Sequence, residues 1–232
     1  MLTLQGVQKN RGGDPVLDAI TLKVEAGKVL CILGPSGCGK TTLLHLMAGL
    51  EPISGGRLEN QSPATAYMFQ EDRLVPWQSV FDNIALVKKK KDAAAVLDLI
   101  GAVGLKGFEQ ARPQSLSGGM KQRCAFARAL YYDAPLLLMD EPFKSLDVKL
   151  QKRAADLLLA WQEKKEAAVV FVTHDVDEAL ALGDEIIVLS ERPAQILDRV
   201  QLPMAKKGRC LNASNLQEIK ERLVRSLTNE SR

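Results

Sequence analysis

Gly34-Pro35-Ser36-Gly37-Cys38-Gly39-Lys40-Thr41 carries the spacing G-x-x-x-x-G-K-[ST]. These residue types suit the capture of a polyphosphate. Glycines let the backbone curl so that successive N–H groups point at phosphate oxygens, at the positive end of a helix. Lys40 supplies a point charge to the β and γ phosphates, and the Thr41 hydroxyl is a ligand for Mg²⁺. An acidic partner for the metal stands much later, where Leu136-Leu137-Leu138-Met139 ends in Asp140-Glu141. Asp140 can hold Mg²⁺ directly or through water, and Glu141 is placed to polarise an attacking water.

The elements that must position these groups are legible around them. Val29-Leu30-Cys31-Ile32-Leu33 is a continuous apolar run, the pattern of a parallel strand buried on both faces, and it leads straight into the glycine-rich loop. Thr42 opens the helical run that follows the loop and completes the expected nucleotide-binding set. Leu136–Met139, Val169–Val172 and Ile186–Leu189 are further buried-strand runs. Between the first two of these, Leu150, Ala154, Leu157, Leu158 and Trp161 form one helical stripe. Strands alternating with helices predict a doubly wound α/β core with a mainly parallel sheet. Nearer the N-terminus, Ile20, Leu22 and Val24 alternate with Thr21, Lys23 and Glu25, as in a half-buried antiparallel strand.

The stretch from about 71 to 130 lacks buried-strand runs and carries helical patches such as Ala93 to Val103. It reads as a helical subdomain inserted into a core made of about 1–70 and 131–232. Lys88-Lys89-Lys90-Lys91 at its edge reads as a solvated loop or helix end. The chain ends in an amphipathic helix, with Ser214 as its cap, Gln217 three residues on, and Leu216, Ile219, Leu223 and Leu227 as its apolar stripe.

Composition narrows the possibilities. A net charge of +3 over 232 residues is too small for a nucleic-acid footprint, so no nucleic-acid partner is expected. No stretch approaches the roughly 18–20 apolar residues that span a bilayer. The N-terminus lacks the basic and apolar regions of a secretion signal. Cys31, Cys38, Cys124 and Cys210 are scattered without metal-like pairing, which suits a reduced, cytosolic chain.

Leu116-Ser117-Gly118-Gly119-Met120-Lys121-Gln122-Arg123 resembles the signature sequence of ABC ATPases, LSGGQ-x-QR. The family's other landmarks occur in order: Gln70 matches the Q-loop, Ser145-Leu146-Asp147 the D-loop and His174 the H-loop. The resemblance covers essentially the whole chain. It implies a P-loop ABC-type fold, ATP and Mg²⁺ as cofactors, and two subunits packed head to tail around two ATP molecules. Each phosphate loop would then face Ser117, Gly118 and Gly119 of the other subunit. The resemblance further implies that Gln70 contacts Mg²⁺ or the attacking water, and that His174 contacts the γ-phosphate and works with Glu141.

Two departures stand out. Met120 replaces the signature glutamine, which implies tuning rather than loss. Where related chains carry an aromatic residue against adenine, this one has Asn10-Arg11-Gly12-Gly13; either Arg11 stacks on the base or the adenine is held loosely. Cys38 reads as small filler in the loop, and bulky thiol reagents there are expected to block ATP binding.

Gln70 to Ile84, with Leu-Val-Pro-Trp at 74–77 and Asp82-Asn83, resembles the ATPase subunits of nitrate, sulfonate and taurine importers. Glu141-Pro142-Phe143-Lys144-Ser145-Leu146-Asp147 resembles that group's EPFGALD, with Lys144 in place of glycine. Ser190–Ile196 likewise resembles its S-x-RPG-x-I stretch. The implied partners are a paired ABC subunit, an integral membrane permease and, indirectly, a solute-binding protein. The implied place is the cytoplasmic face of the membrane. Leu74, Val75 and Trp77 would suit a groove for a permease helix, the alternative being that Trp77 is core. A lipoprotein-release or exporter-type ATPase subunit is the competing function.

Overall fold

The computed structural model describes every residue except 203–205, 207–208, 210–212 and 229–232. The chain runs through β1 (Leu2–Arg11), β2 (Asp14–Val24), β3 (Val29–Leu33), α1 (Lys40–Met47), β4 (Gly55–Asn60) and β5 (Thr65–Met68). The helical stretch follows as α2 (Val80–Ala85), α3 (Ala93–Ala102), a 3-10 turn at Pro113–Ser115, and α4 (Gly118–Tyr132). The rest is β6 (Leu136–Asp140), α5 (Val148–Lys165), β7 (Ala168–Val172), α6 (Val176–Leu182), β8 (Glu185–Leu189), β9 (Ile196–Gln201) and α7 (Ser214–Thr228).

Two sheets result. An antiparallel one is ordered β2-β1-β4, and a larger one is ordered β5-β6-β7-β3-β8-β9. In the larger sheet all neighbours pair in parallel except β8 and β9. The four apolar runs are its interior strands, and every residue of β3, β6 and β7 is buried. Alternation divides them between two packed layers. Val29, Cys31, Leu33, Leu137, Met139, Val169 and Phe171 face one layer with α4 and α5. Leu30, Ile32, Leu136, Leu138, Val170 and Val172 face the other with α1 and the small antiparallel sheet.

This strand order decides where chemistry can occur. In a parallel sheet every C-terminal strand end opens on the same edge, and ligands bind there. The loops after β5, β6, β7 and β3 therefore stand side by side, although residues 68 and 172 are far apart in sequence.

The helical stretch shares the main core: Val80, Ile84, Val96, Ile100 and Leu105 pack in the same cluster as Val29 and Phe171. Its last helix runs to Tyr132, two residues past the boundary read from sequence, and stops at Asp133 in left-handed conformation (φ 63°). α7 buries Leu216 and Leu223, with Ile219 and Leu227 beside them. Ser214 lies inside the first turn of that helix rather than before it, so it is not the expected cap. Lys89, Lys90 and Lys91 are exposed, as the charge run implies.

Candidate functional site

The glycine-rich loop links β3 to α1. Gly37 (φ 79°) and Gly39 (φ 125°) take left-handed backbone that a side chain would strain, and a Cβ on Gly39 would meet Leu17 Cδ2 at 2.9 Å. Gly39 caps α1 without a side-chain hydrogen bond, so the helix's first N–H groups are left for an anion. Lys40 is 8% exposed and folds over the loop, its Nζ donating to Gly34 O at 2.7 Å and Pro35 O at 2.8 Å. Pro35, Ser36 and Gly37 form the open rim of the loop, and Thr42 is buried at its base.

Thr41 Oγ1 donates to Asp140 Oδ2 at 2.7 Å, joining the loop to the end of β6. Burial raises the pKa of Asp140 above the ordinary value, against the lowering effect of the Thr41 hydroxyl. A hydroxyl and a carboxylate at this separation are hard oxygen donors of the kind Mg²⁺ takes, with phosphate and water oxygens completing its octahedron. Among the described residues no group of three or more His, Cys, Asp or Glu could hold a metal on its own. The donor set fits an ion bound together with a nucleotide.

Glu141 leaves β6 with φ 47°, a left-handed backbone rare outside glycine, stabilised by its N–H donating to Val172 O at 3.0 Å. Its carbonyl accepts from Gln122 Nε2 at 3.1 Å. The carboxylate meets Gln70 Nε2 at 3.1 Å, His174 Nδ1 at 3.3 Å and Lys144 Nζ at 2.5 Å. Burial pushes its pKa up, but Lys144 and His174 outweigh that and hold it below the usual value. It is therefore ionised at neutral pH.

Lys40, Thr41, Asp140, Glu141, His174 and Gln70 are thus one site along one sheet edge. Ser117 caps α4 through Met120 N–H at 3.3 Å, and Ser117 and Gly118 face solvent. Among the described residues the signature makes no hydrogen bond to the phosphate loop. Arg11 stands before a hairpin turn, with Nη2 2.5 Å from Glu51 Oε1. Lys9 and His45 share that carboxylate at 3.3 and 3.0 Å.

Sequence reasoning gave no role to Lys144 or Gln122. Gln122 is buried and also accepts from Ser145 N at 3.1 Å, so it pins the turn that carries Glu141. The sequence signals were the glycine-to-lysine departure at 144 and the match of Gln122 to the second glutamine of the signature. Cys38 is only 2% exposed, and burial raises its thiol pKa despite nearby Lys40. Its thiol is thus turned away from solvent within the loop. Cys31 and Cys124 are buried free thiols, and Cys210 lies outside the described residues. Trp77 is 73% exposed and is not core.

A family model described as "ABC transporter" matches residues 17–144. The chain is 43% identical over 205 residues to the aliphatic sulfonates import ATP-binding protein SsuB 1 of Pseudomonas savastanoi pv. phaseolicola, covering 88% of this chain and 86% of that one. It is 38% identical over 221 residues to the taurine import ATP-binding protein TauB of Escherichia coli O157:H7, covering 89% and 86%. Among solved structures it resembles a dimeric ATP-binding cassette in a post-hydrolysis state bound to ADP and Pi. The TM-score is 0.79 at 26% identity, with 88% of this chain and 100% of that one covered.

Proposed function

Because the chain belongs to the ABC transporter family of ATP-binding proteins, we propose that it hydrolyses ATP as one of a pair of subunits driving a membrane importer for a small solute such as a sulfonate, taurine or nitrate. The observation that carries the hydrolytic reading is the Glu141 carboxylate, ionised and held between His174 and Gln70 beside the Thr41–Asp140 pair.

Lys40 exchanges its loop carbonyls for the β and γ phosphates, which the N–H groups at the start of α1 also hold. Thr41, Asp140 and Gln70 would hold Mg²⁺, which neutralises phosphate charge when bound. Glu141 orients a water toward the γ-phosphate and accepts its proton as the new P–O bond forms and ADP leaves with the electron pair. His174 fixes that carboxylate and the γ-phosphate. At the start of α4 the exposed Ser117 and Gly118 and the half-buried Gly119 serve the other subunit's γ-phosphate.

The import assignment is supported by the relatives, which are named as import ATP-binding proteins and favour it over lipoprotein release or export. Among the described residues no helix is long and apolar enough to cross a membrane, so a separate permease would provide the span. Trp77, exposed beside the partly buried Leu74 and Val75, suits docking of a permease helix on the cytoplasmic face of the membrane. A solute-binding protein would contact the permease only.

Glu141→Gln tests the chemistry. Turnover should fall by at least about 10²-fold with ATP affinity retained, read by phosphate release and nucleotide titration. Near-normal hydrolysis would remove Glu141 from its role.

A further inference from the structure

Three side chains hold the Glu141 carboxylate, and they are not equivalent. His174 and Gln70 reach it from the ends of neighbouring strands, so the sheet fixes their approach. Lys144 reaches it from the turn that Glu141 itself begins, where Lys144 N donates to Glu141 O at 3.4 Å. The left-handed backbone of Glu141 folds that turn back and brings the ammonium to Oε2 at 2.5 Å. The lysine side chain is 49% exposed and the glutamate side chain 14%. The cation can therefore swing into water while the carboxylate stays where the strands hold it.

An ammonium on a carboxylate oxygen competes with the function assigned to that oxygen. It occupies a lone pair that must accept the proton of water, and it offsets the charge that attracts that proton. We propose that Lys144 is a positioning residue that restrains Glu141, so that turnover requires the Lys144–Glu141 ion pair to open. The proposal rests on Glu141 being the base.

A half-exposed pair of this kind is a weak restraint, and its removal should raise kcat about two- to five-fold. Steady-state ATPase assays on Lys144→Ala should show that rise with KM for ATP changed by less than about two-fold, because Lys144 touches Glu141 and not the phosphate loop. Lys144→Arg keeps a cation on the turn and should return kcat to the wild-type level. The double variant Glu141→Gln/Lys144→Ala should be no faster than Glu141→Gln alone. A kcat unchanged or lowered in Lys144→Ala overturns the restraint, as does a gain that persists in the double variant. Turnover retained by Glu141→Gln alone would instead defeat the base assignment, so the two failures are distinguishable.

Discussion

Arg11 stands where an adenine-stacking residue would be needed, yet its guanidinium is paired with Glu51. The two uses compete, and magnitudes decide between them. Arg11 is half exposed, and such a surface pair is worth at most about 1 kcal/mol. A guanidinium stacked on a flat ring gains about as much or more once water is excluded. Glu51 also keeps Lys9 and His45, so it is not stranded when Arg11 leaves. Burial pushes the Glu51 pKa up, but His45, Lys9 and Arg11 outweigh that and keep it ionised. We expect Arg11→Ala to weaken ATP binding several-fold and Glu51→Gln, which releases the guanidinium, to leave it equal or tighter. Titration with a fluorescent ATP analogue measures both. Unchanged affinity in Arg11→Ala would mean that the base is held without it.

At the scale of elements, the loop that presents Trp77 is built around one buried amide. Asn83 is fully buried, its Nδ2 donating to Val75 O at 3.1 Å, Gln78 O at 3.2 Å and Ser79 O at 3.0 Å. Its Oδ1 accepts from Val75 N at 2.7 Å. Asn83→Ala would remove the partner of Val75 N and Gln78 O, while Val75 O keeps Gln78 N and Ser79 O keeps the N–H of residue 83, at a cost of about 2–3 kcal/mol, read as a lower urea midpoint. The loop would lose its shape, so co-purification with the permease should fall further than the isolated subunit's ATPase rate. Unchanged stability and co-purification would show that the loop does not depend on this amide. The same element shows what a sequence can disclose. The Asp82-Asn83 pair was visible as a motif, but the hub role of Asn83 exists only once α2 turns it back on residues 75–79. Strands β3, β6, β7 and β8 were legible because burial on both faces forces unbroken apolar runs. β4, β5 and β9 were not, since they lie at sheet edges and are half exposed. Lys144 against Glu141 was hidden for a related reason: it depends on a left-handed φ that no residue type at 141 announces.

For the whole molecule, the question is whether one copy suffices. The site of Lys40, Asp140, Glu141 and His174 lies on one sheet edge, while Ser117 and Gly118 present a helix start to solvent without bonding to it. A helix start stabilises an anion, so this one has a use if a second subunit brings a phosphate to it. Gly118 is suited to testing this, because a Cβ there would meet nothing within 4 Å. In Gly118→Asp the carboxylate would sit favourably in the first turn of α4, so the melting temperature should hold or rise slightly. The same carboxylate would repel an incoming γ-phosphate. In a Glu141→Gln background, size-exclusion chromatography with Mg-ATP should therefore show dimers for the parent and monomers for the Gly118→Asp chain. Mixing is the sharper arm. Gly118→Asp retains its phosphate loop and Lys40→Ala retains its signature, so a mixed pair has one intact composite site. Mg-ATP should drive association in that mixture, in the Glu141→Gln background, although neither chain dimerises alone. Dimers formed by Gly118→Asp alone would show that the exposed start of α4 does not receive the partner's nucleotide.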